Sequence, residues 1–410
     1  MAQTDRYSTV SGSPTPIGAS LSTPDPNGSP GEIPPAPTVP VSVPVTAPVT
    51  APVTAPVSVS PSPPAAARPQ RTRDTQATGT PAKHPPRVSL DALKREIAKV
   101  IVGNDAVVEN VLVSMFAGGH VLLEGVPGLG KTLLIRTLAS ILQQNFRRIQ
   151  FTPDLMPADI VGTRLIQEDD AGHKSFVFQP GPLFANMILA DEINRATAKT
   201  QSALLEAMAE GTITAAGDTM KLARPFFVLA TQNPIEMEGT YPLPEAQVDR
   251  FLFKILLEPP SKEMLENILE RTTGNEVAEL SPILTTDEIV AAQKLVRDVP
   301  IAKHLREAIA TLITATHPKN QAAPQPVKRY IAYGSSPRGL QAVALAAKSL
   351  AFLRGQNHVS FDEIKAVAKP ALRHRLILNF EGEAEGISTD EIVDKLLAQI
   401  ESTLTLGKPG

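Results

Sequence analysis

Apolar and polar positions fall into three regimes along the 410-residue chain. Up to residue 86, isolated valines and alanines are spaced by proline, and a tetrapeptide repeats as VTAP from Val45 to Pro56. From Ser89 onward two amphipathic helices are expected. SLDALKREIAKVIV (89–102) opens on a capping serine and repeats its apolar residues at helical spacing; a second helix spans Ala106 to Ala117 and stops at Gly118-Gly119. Short, fully apolar runs then alternate with helical ones. They are HVLLE (120–124), RRIQF (147–151), MILAD (187–191), FFVLATQ (226–232) and FLFKILL (251–257), with helices after Lys131 and from Ala196 to Glu210. Strands apolar on both sides and separated by helices predict a mostly parallel sheet covered on both faces. Two hairpins interrupt the alternation, with turns expected at Asp170–Gly172 and Gly217-Asp218. Beyond Pro259-Pro260 the pattern is almost wholly helical to about Ile400. The expected division is a proline-rich tail (1–86), an α/β domain (87–258) and an all-helical domain (259–405).

Composition changes this picture mainly at the N-terminus. Residues 1–86 hold 20 of the 39 prolines. Proline removes backbone donors and excludes regular helix, so a disordered, partly polyproline-like segment is expected there. The first ten residues lack the charged-then-apolar pattern of a secretory signal, and no stretch approaches a membrane-spanning apolar run. With no cysteine in the chain, disulfides and thiolate-bound zinc are excluded, and a reducing compartment fits. A soluble, cytoplasmic protein is the expectation. The net charge of −3 argues against nucleic acid as the main partner.

The strongest chemical signal is GVPGLGKT (125–132), a phosphate-loop pattern that follows a strand and opens a helix. Gly125, Val126, Pro127, Gly128, Leu129 and Gly130 let the backbone curl so that its N–H groups face a β-phosphate at a helix N-terminus. Lys131 would neutralise β/γ oxygens, the Thr132 hydroxyl would ligand Mg²⁺, and Leu133 begins the helix against the nucleotide. Such a loop binds ATP; hydrolysis needs more. In MILADEINRA (187–196), Asp191 ends a strand where its carboxylate can join the Mg²⁺ shell, and Glu192 can orient or deprotonate the attacking water. An acidic pair in that place also suits a helix cap. Asn233 in ATQNP projects from the same sheet edge as a γ-phosphate or water contact, although asparagine before proline also suits a plain turn. In LPEAQVDRF (243–251), Arg250 either pairs locally with Asp249 or Glu245 or finds its partner on another molecule.

GVPGLGKT, ADEINRA, ATQNP and LPEAQVDRF, in that order, resemble an AAA+ ATPase, and the wording is similar to the MoxR family. IVGND (101–105), FTPDLMPADIVG (151–162), FQPGPLF (178–184), GSSPRGL (334–340) and LRHRLILNFEGEAEGI (372–387) extend the resemblance over about residues 88–400. It implies a P-loop NTPase sheet core with an all-α lid. It also implies homo-oligomeric rings, usually hexamers, with ATP and Mg²⁺ held between neighbouring subunits. In such a ring Arg250 matches an arginine finger offered in trans. Arg338 matches a second sensor touching its own subunit's γ-phosphate from the lid, and Ile101, Val102, Gly103 and Asn104 border the adenine. Asn104 stands where relatives carry glutamine, and the proline-rich tail is longer than a typical member needs. The resemblance implies a chaperone-like remodelling ATPase acting with von Willebrand factor A domain proteins, in complex assembly or metal-cofactor insertion. Alternatives are the motor subunit of a metal chelatase, a DNA-acting motor and a non-hydrolysing, nucleotide-gated scaffold. A DNA-acting motor would want basic pore residues or a winged helix, which the sequence does not offer. Glu192 and Arg250 together argue against the scaffold.

Overall fold

A computed structural model describes residues 88–406 except Pro127, 169–172, 216, 235–239 and 275–277, so the tail and the turn expected at Asp170–Gly172 lie outside the described residues. All of them belong to one compact unit, Gly79–Gly410. Five strands, β1 (Val121–Glu124), β2 (Phe146–Gln150), β3 (Met187–Asp191), β4 (Phe227–Gln232) and β5 (Phe253–Leu256), form one sheet in the order β2-β3-β4-β1-β5. Every pairing is parallel. The strands lie where the five apolar runs predict them.

Alternation along these strands sends successive side chains to two different cores. Val121, Leu123, Leu189, Leu229 and Phe253 belong to one buried cluster, whereas Leu122, Ile188, Ala190, Val228 and Ala230 belong to the other. On the first face lie the helices Leu90–Ile97, Asp105–Ala117 and Lys131–Ile141; on the second lie Ala198–Glu210 and the short helix Pro157–Val161. Helix Asp105–Ala117 is buried almost all round because helices Thr286–Asp298 and Pro337–Leu353 close over its far side. The core is therefore continuous across residue 258.

Two local departures from the sequence reading have physical causes. The first helix ends at Ile97, not Val102; the β-branched run Val100-Ile101-Val102 leaves the helix and, with Asn104, lines a cleft. The helical half also contains a two-stranded antiparallel pair, Ile331–Tyr333 with Ile377–Leu378, too short to show a period in sequence. The expected hairpins are present as Gly162–Glu168 with Lys174–Pro180 and as Thr212–Ala215 with Asp218–Lys221, and an Arg164–Asp218 ion pair links them. Among the described residues no helix is long and apolar enough to cross a membrane.

One buried side chain ties the sheet to its cover. His120, at the head of β1, accepts the Val228 N–H at Nδ1 (3.1 Å), so its Nε2 carries the proton and donates to the Met208 carbonyl (3.2 Å). Burial lowers its pKa from 6.5 to about 4, against a smaller opposing effect of the Met208 carbonyl. The unfolded chain therefore binds this proton more readily. The stability present above pH 6.5 is lost as the pH falls from 6.5 toward 4. At 1.36 kcal/mol per unit the effect is on the order of 3 kcal/mol. Burial lowers the pKa of His374 as well, so it acts in the same sense. Melting temperature should fall between pH 6.5 and 5, before most carboxylates titrate, and His120→Gln should flatten that slope. Equal slopes in the two proteins would rule out His120 as a source of acid sensitivity.

Candidate active site

The carboxyl ends of β1, β3 and β4 converge on one edge of the sheet, where ligands of open α/β folds bind. From β1 the chain enters the loop at Gly125, whose added Cβ would meet the Leu257 Cβ at 2.6 Å, so the loop can leave the sheet only as glycine. It re-enters helix at Lys131 through Gly130, whose φ of +75° favours a residue without a side chain. The remaining N-terminal N–H groups of helix Lys131–Ile141 then face the loop, a ready anion cradle. Lys131 donates to the Gly125 carbonyl across the loop. Burial lowers its pKa, opposed by the carboxylates of Asp191, then Glu192, then Glu124. Lys131 thus shares this edge with three carboxylates, of which Glu124 is also paired with Lys254 (2.9 Å).

Asp191 closes β3 with both oxygens engaged. Oδ1 accepts from the Thr231 hydroxyl (2.6 Å) and Oδ2 from Arg148, through Nε (3.1 Å) and Nη2 (2.6 Å). Glu192 follows in a left-handed conformation (φ 57°, ψ 49°), unusual for a non-glycine residue, and turns the chain away from the strand. Its backbone N–H donates to Thr231 Oγ1 (2.9 Å), and Oε2 accepts from Gln150 (2.8 Å) and Arg195 (3.2 Å). Thr231 therefore orients both acids from the neighbouring strand. Asn233 lies buried just beyond β4 at this edge. Thr231, Arg148 and Gln150 escaped the sequence reading. Thr231 lay inside the quoted ATQNP; Arg148 and Gln150 reach the acids only because β2 pairs with β3.

A cavity of about 260 Å³ adjoins the loop. Gly128, Leu129, Gly130, Lys131 and Leu133 line one side, and Ile101, Val102 and Asn104 another. Helix Lys262–Thr272 supplies Met264 and Ile268. Gly103 lies under the Met264 side chain in a left-handed conformation (φ +69°) that favours glycine. This places an apolar slot beside the N-terminus of helix Lys131–Ile141. Gly125, Val126 and Thr132 belong to the same loop but do not line this cavity, and Pro127 lies outside the described residues.

Arg250 and Arg338 lie elsewhere. Leu252 N–H donates to the His120 carbonyl (2.8 Å) and Phe253 pairs with Val121, so Arg250 sits beyond the amino ends of β1 and β5. At about 3.3 Å per residue, β1 alone separates the two edges by roughly 13 Å or more, beyond the reach of one side chain. Arg250 is exposed and donates to the Leu205 carbonyl (2.8 Å); among the described residues it pairs with no carboxylate. Asp249 is occupied by Arg375 (2.7 Å), Ser336 (3.0 Å) and, at 3.5 Å, Arg338. Arg338, expected beside its own subunit's γ-phosphate, instead stands at the Arg250 edge, because the lid's Arg375 and Ser336 lock onto Asp249.

A phosphate loop, an acidic strand end and a polar third strand end on a 2-3-4-1-5 parallel sheet, followed by a helical lid, define a P-loop ATPase of the AAA class. Residues 120–253 match the ATPase family associated with various cellular activities (AAA), and residues 325–396 match an AAA lid domain. The chain is 43% identical over 305 residues to the chaperone MoxR1 of Mycobacterium tuberculosis, covering 74% of this chain and 80% of that one. Protein MoxR of Methylorubrum extorquens is 30% identical over 301 residues, covering 70% and 86%. The crystal structure of a presumed ATPase from Cytophaga hutchinsonii superposes with a TM-score of 0.71 at 42% identity, covering 75% of this chain and 93% of that one. This chain belongs to the MoxR family of AAA+ ATPases.

Proposed function

We propose that the chain hydrolyses ATP within a homo-oligomeric ring, a hexamer, each site being built by the Lys131 edge of one subunit and the Arg250 edge of the next. The observation that supports this reading is the separation of the two edges. Lys131, Asp191 and Glu192 share one edge with the loop, whereas an exposed arginine that among the described residues has no carboxylate partner stands at the other. A ring interface is heterologous, so it brings unlike edges together.

In this reading Lys131 and the loop N–H groups bind β- and γ-phosphate oxygens. Val102 and Gly103, with Ile101, Asn104 and Leu133, border the adenine. Thr132 and Asp191 are oxygen donors that, with phosphate oxygens and water, suit Mg²⁺, which when bound neutralises charge developing on the phosphates. Glu192, oriented through Thr231 and Gln150, takes the proton of the attacking water, and Asn233 holds that water or the γ-phosphate. Arg250 stabilises charge on the transferring phosphoryl group from the neighbouring subunit. Arg338, at the same edge as Arg250, acts on that neighbour rather than on its own site.

Turnover drives remodelling of protein partners in the cytoplasm, together with a von Willebrand factor A domain protein, during complex assembly or metal-cofactor insertion. The relative named as a chaperone supports the remodelling part of this reading. The chemistry is tested by Glu192→Gln, which keeps the shape but cannot accept a proton. ATP should bind as in wild type while turnover falls by about 10²- to 10⁴-fold. Hydrolysis at the wild-type rate would overturn the role of Glu192.

A further inference from the structure

LRHR (372–375) lies far in sequence from the segment that carries Arg250, yet the fold spends its polar groups there. Arg375 has only 3% of its side chain exposed. Its Nε donates to Asp249 Oδ1 (2.7 Å), and Nη2 donates to the carbonyls of Asp249 (2.9 Å) and Phe251 (2.7 Å). Nη1 donates to the Leu252 carbonyl (3.2 Å) and to that of Ala371. His374 Nε2 donates to the Phe251 carbonyl (3.2 Å), and Arg373, fixed by Asp390, reaches the Lys254 carbonyl (3.4 Å). From GSSPRGL, Ser336 donates to Asp249 Oδ2 (3.0 Å), and an added Cβ at Gly339 would clash first with the Ser335 hydroxyl and then crowd the Arg375 Cδ at 3.1 Å. Two distant motifs thus converge on the carboxylate and carbonyls that flank Arg250, and among the described residues neither hydrogen-bonds to its side chain, which donates to the Leu205 carbonyl.

Packing alone would not require this arrangement, since burying a guanidinium is costly and an apolar side chain fills the same volume more cheaply. The donors of Arg375 converge on the backbone on both sides of Arg250, while the Arg250 side chain stays exposed. An arginine that acts across a subunit interface must be held to within about 0.5 Å to be effective, and a free loop cannot do that. We infer that Arg375, through Asp249 and the flanking carbonyls, is a positioning residue that sets the aim of Arg250 from the lid of the same subunit. The inference rests on the reading of Arg250 as a finger.

The test is a double-mutant cycle in the full-length protein, reading ATP turnover and the Kd of a fluorescent ATP analogue. Arg375→Lys keeps a charge but offers a compact ammonium that cannot span the same carbonyls. It should lower kcat by about 10²-fold, the cost of a misplaced group, and change Kd by less than about twofold. Added to Arg250→Ala, it should cause no further loss, because a residue that acts only through Arg250 has nothing left to position. Wild-type kcat in Arg375→Lys, or a further tenfold fall in the double variant, would overturn the inference. If Arg375→Lys fails to fold, Asp249→Asn is read by the same criteria. Wild-type turnover in Arg250→Ala would instead remove the finger reading itself, so the two failures are distinguishable.

Discussion

Arg250→Ala and Glu192→Gln, each almost inactive alone, should recover ATP hydrolysis when their subunits are mixed. The first keeps an intact phosphate edge and lacks the finger; the second keeps the finger and lacks the base. Loss of a finger of this kind costs about 10³- to 10⁵-fold in rate. In a ring, some interfaces pair an intact Glu192 on one subunit with an intact Arg250 on its neighbour. At equal mixing that is about a quarter of all interfaces, since the contacts are head-to-tail and composition is random. Turnover against mixing ratio should therefore form an arch. The placement of Arg250 supports this outcome: it lies at the amino ends of β1 and β5, on the far side of the sheet from Lys131. Local pairing predicts something else, an Arg250→Ala protein close to wild type, because exposed ion pairs contribute only about 0–1 kcal/mol. A straight line between two inactive end points, after subunit exchange has been verified, would sink the trans assignment.

The second large effect is on binding. Lys131→Ala should weaken ATP binding by about 100-fold or more, as charge-assisted hydrogen bonds contribute about 1.5–3 kcal/mol each and on the proposed reading this ammonium would meet more than one phosphate oxygen. The local charge balance adds to the loss. Asp191, Glu192 and Glu124 all act on Lys131, and although Arg148, Arg195 and Lys254 pair with them, removing Lys131 takes one positive charge from the edge that would hold a polyphosphate. Titration with a fluorescent ATP analogue measures the change directly, and thermal melting checks that the fold survives. Affinity within about threefold of wild type would mean that the cradle is not the nucleotide site; that range is far below the cost of one lost charged contact.

Much of this molecule is legible in its sequence. The five apolar runs became the five strands, the glycine–lysine loop fell between a strand and a helix, and Asp191 ended a strand. Such features are local. Apolar runs of strand length and glycines at tight turns express backbone sterics and burial over a few residues, and a linear reading captures them. The ends of elements were less legible, as at Ile97, where a helix-compatible pattern ran on but the cleft claimed the β-branched residues.

The sequence by itself determined the class of fold, the glycine–lysine loop between a strand and a helix, and the presence of Arg250 and Arg338 in distinctive stretches. Only the tertiary structure decided which edge each of those arginines occupies. Asp249 is adjacent to Arg250 in sequence and was a natural partner for it, yet Arg375, 126 residues away, takes that carboxylate and brings Arg338 with it. Thr231 likewise joins Asp191 and Glu192 across a strand pairing 40 and 39 residues long in sequence separation. Competition for a buried carboxylate or hydroxyl is settled by which donors the packed core delivers to it, and that depends on contacts between distant segments rather than on neighbours along the chain.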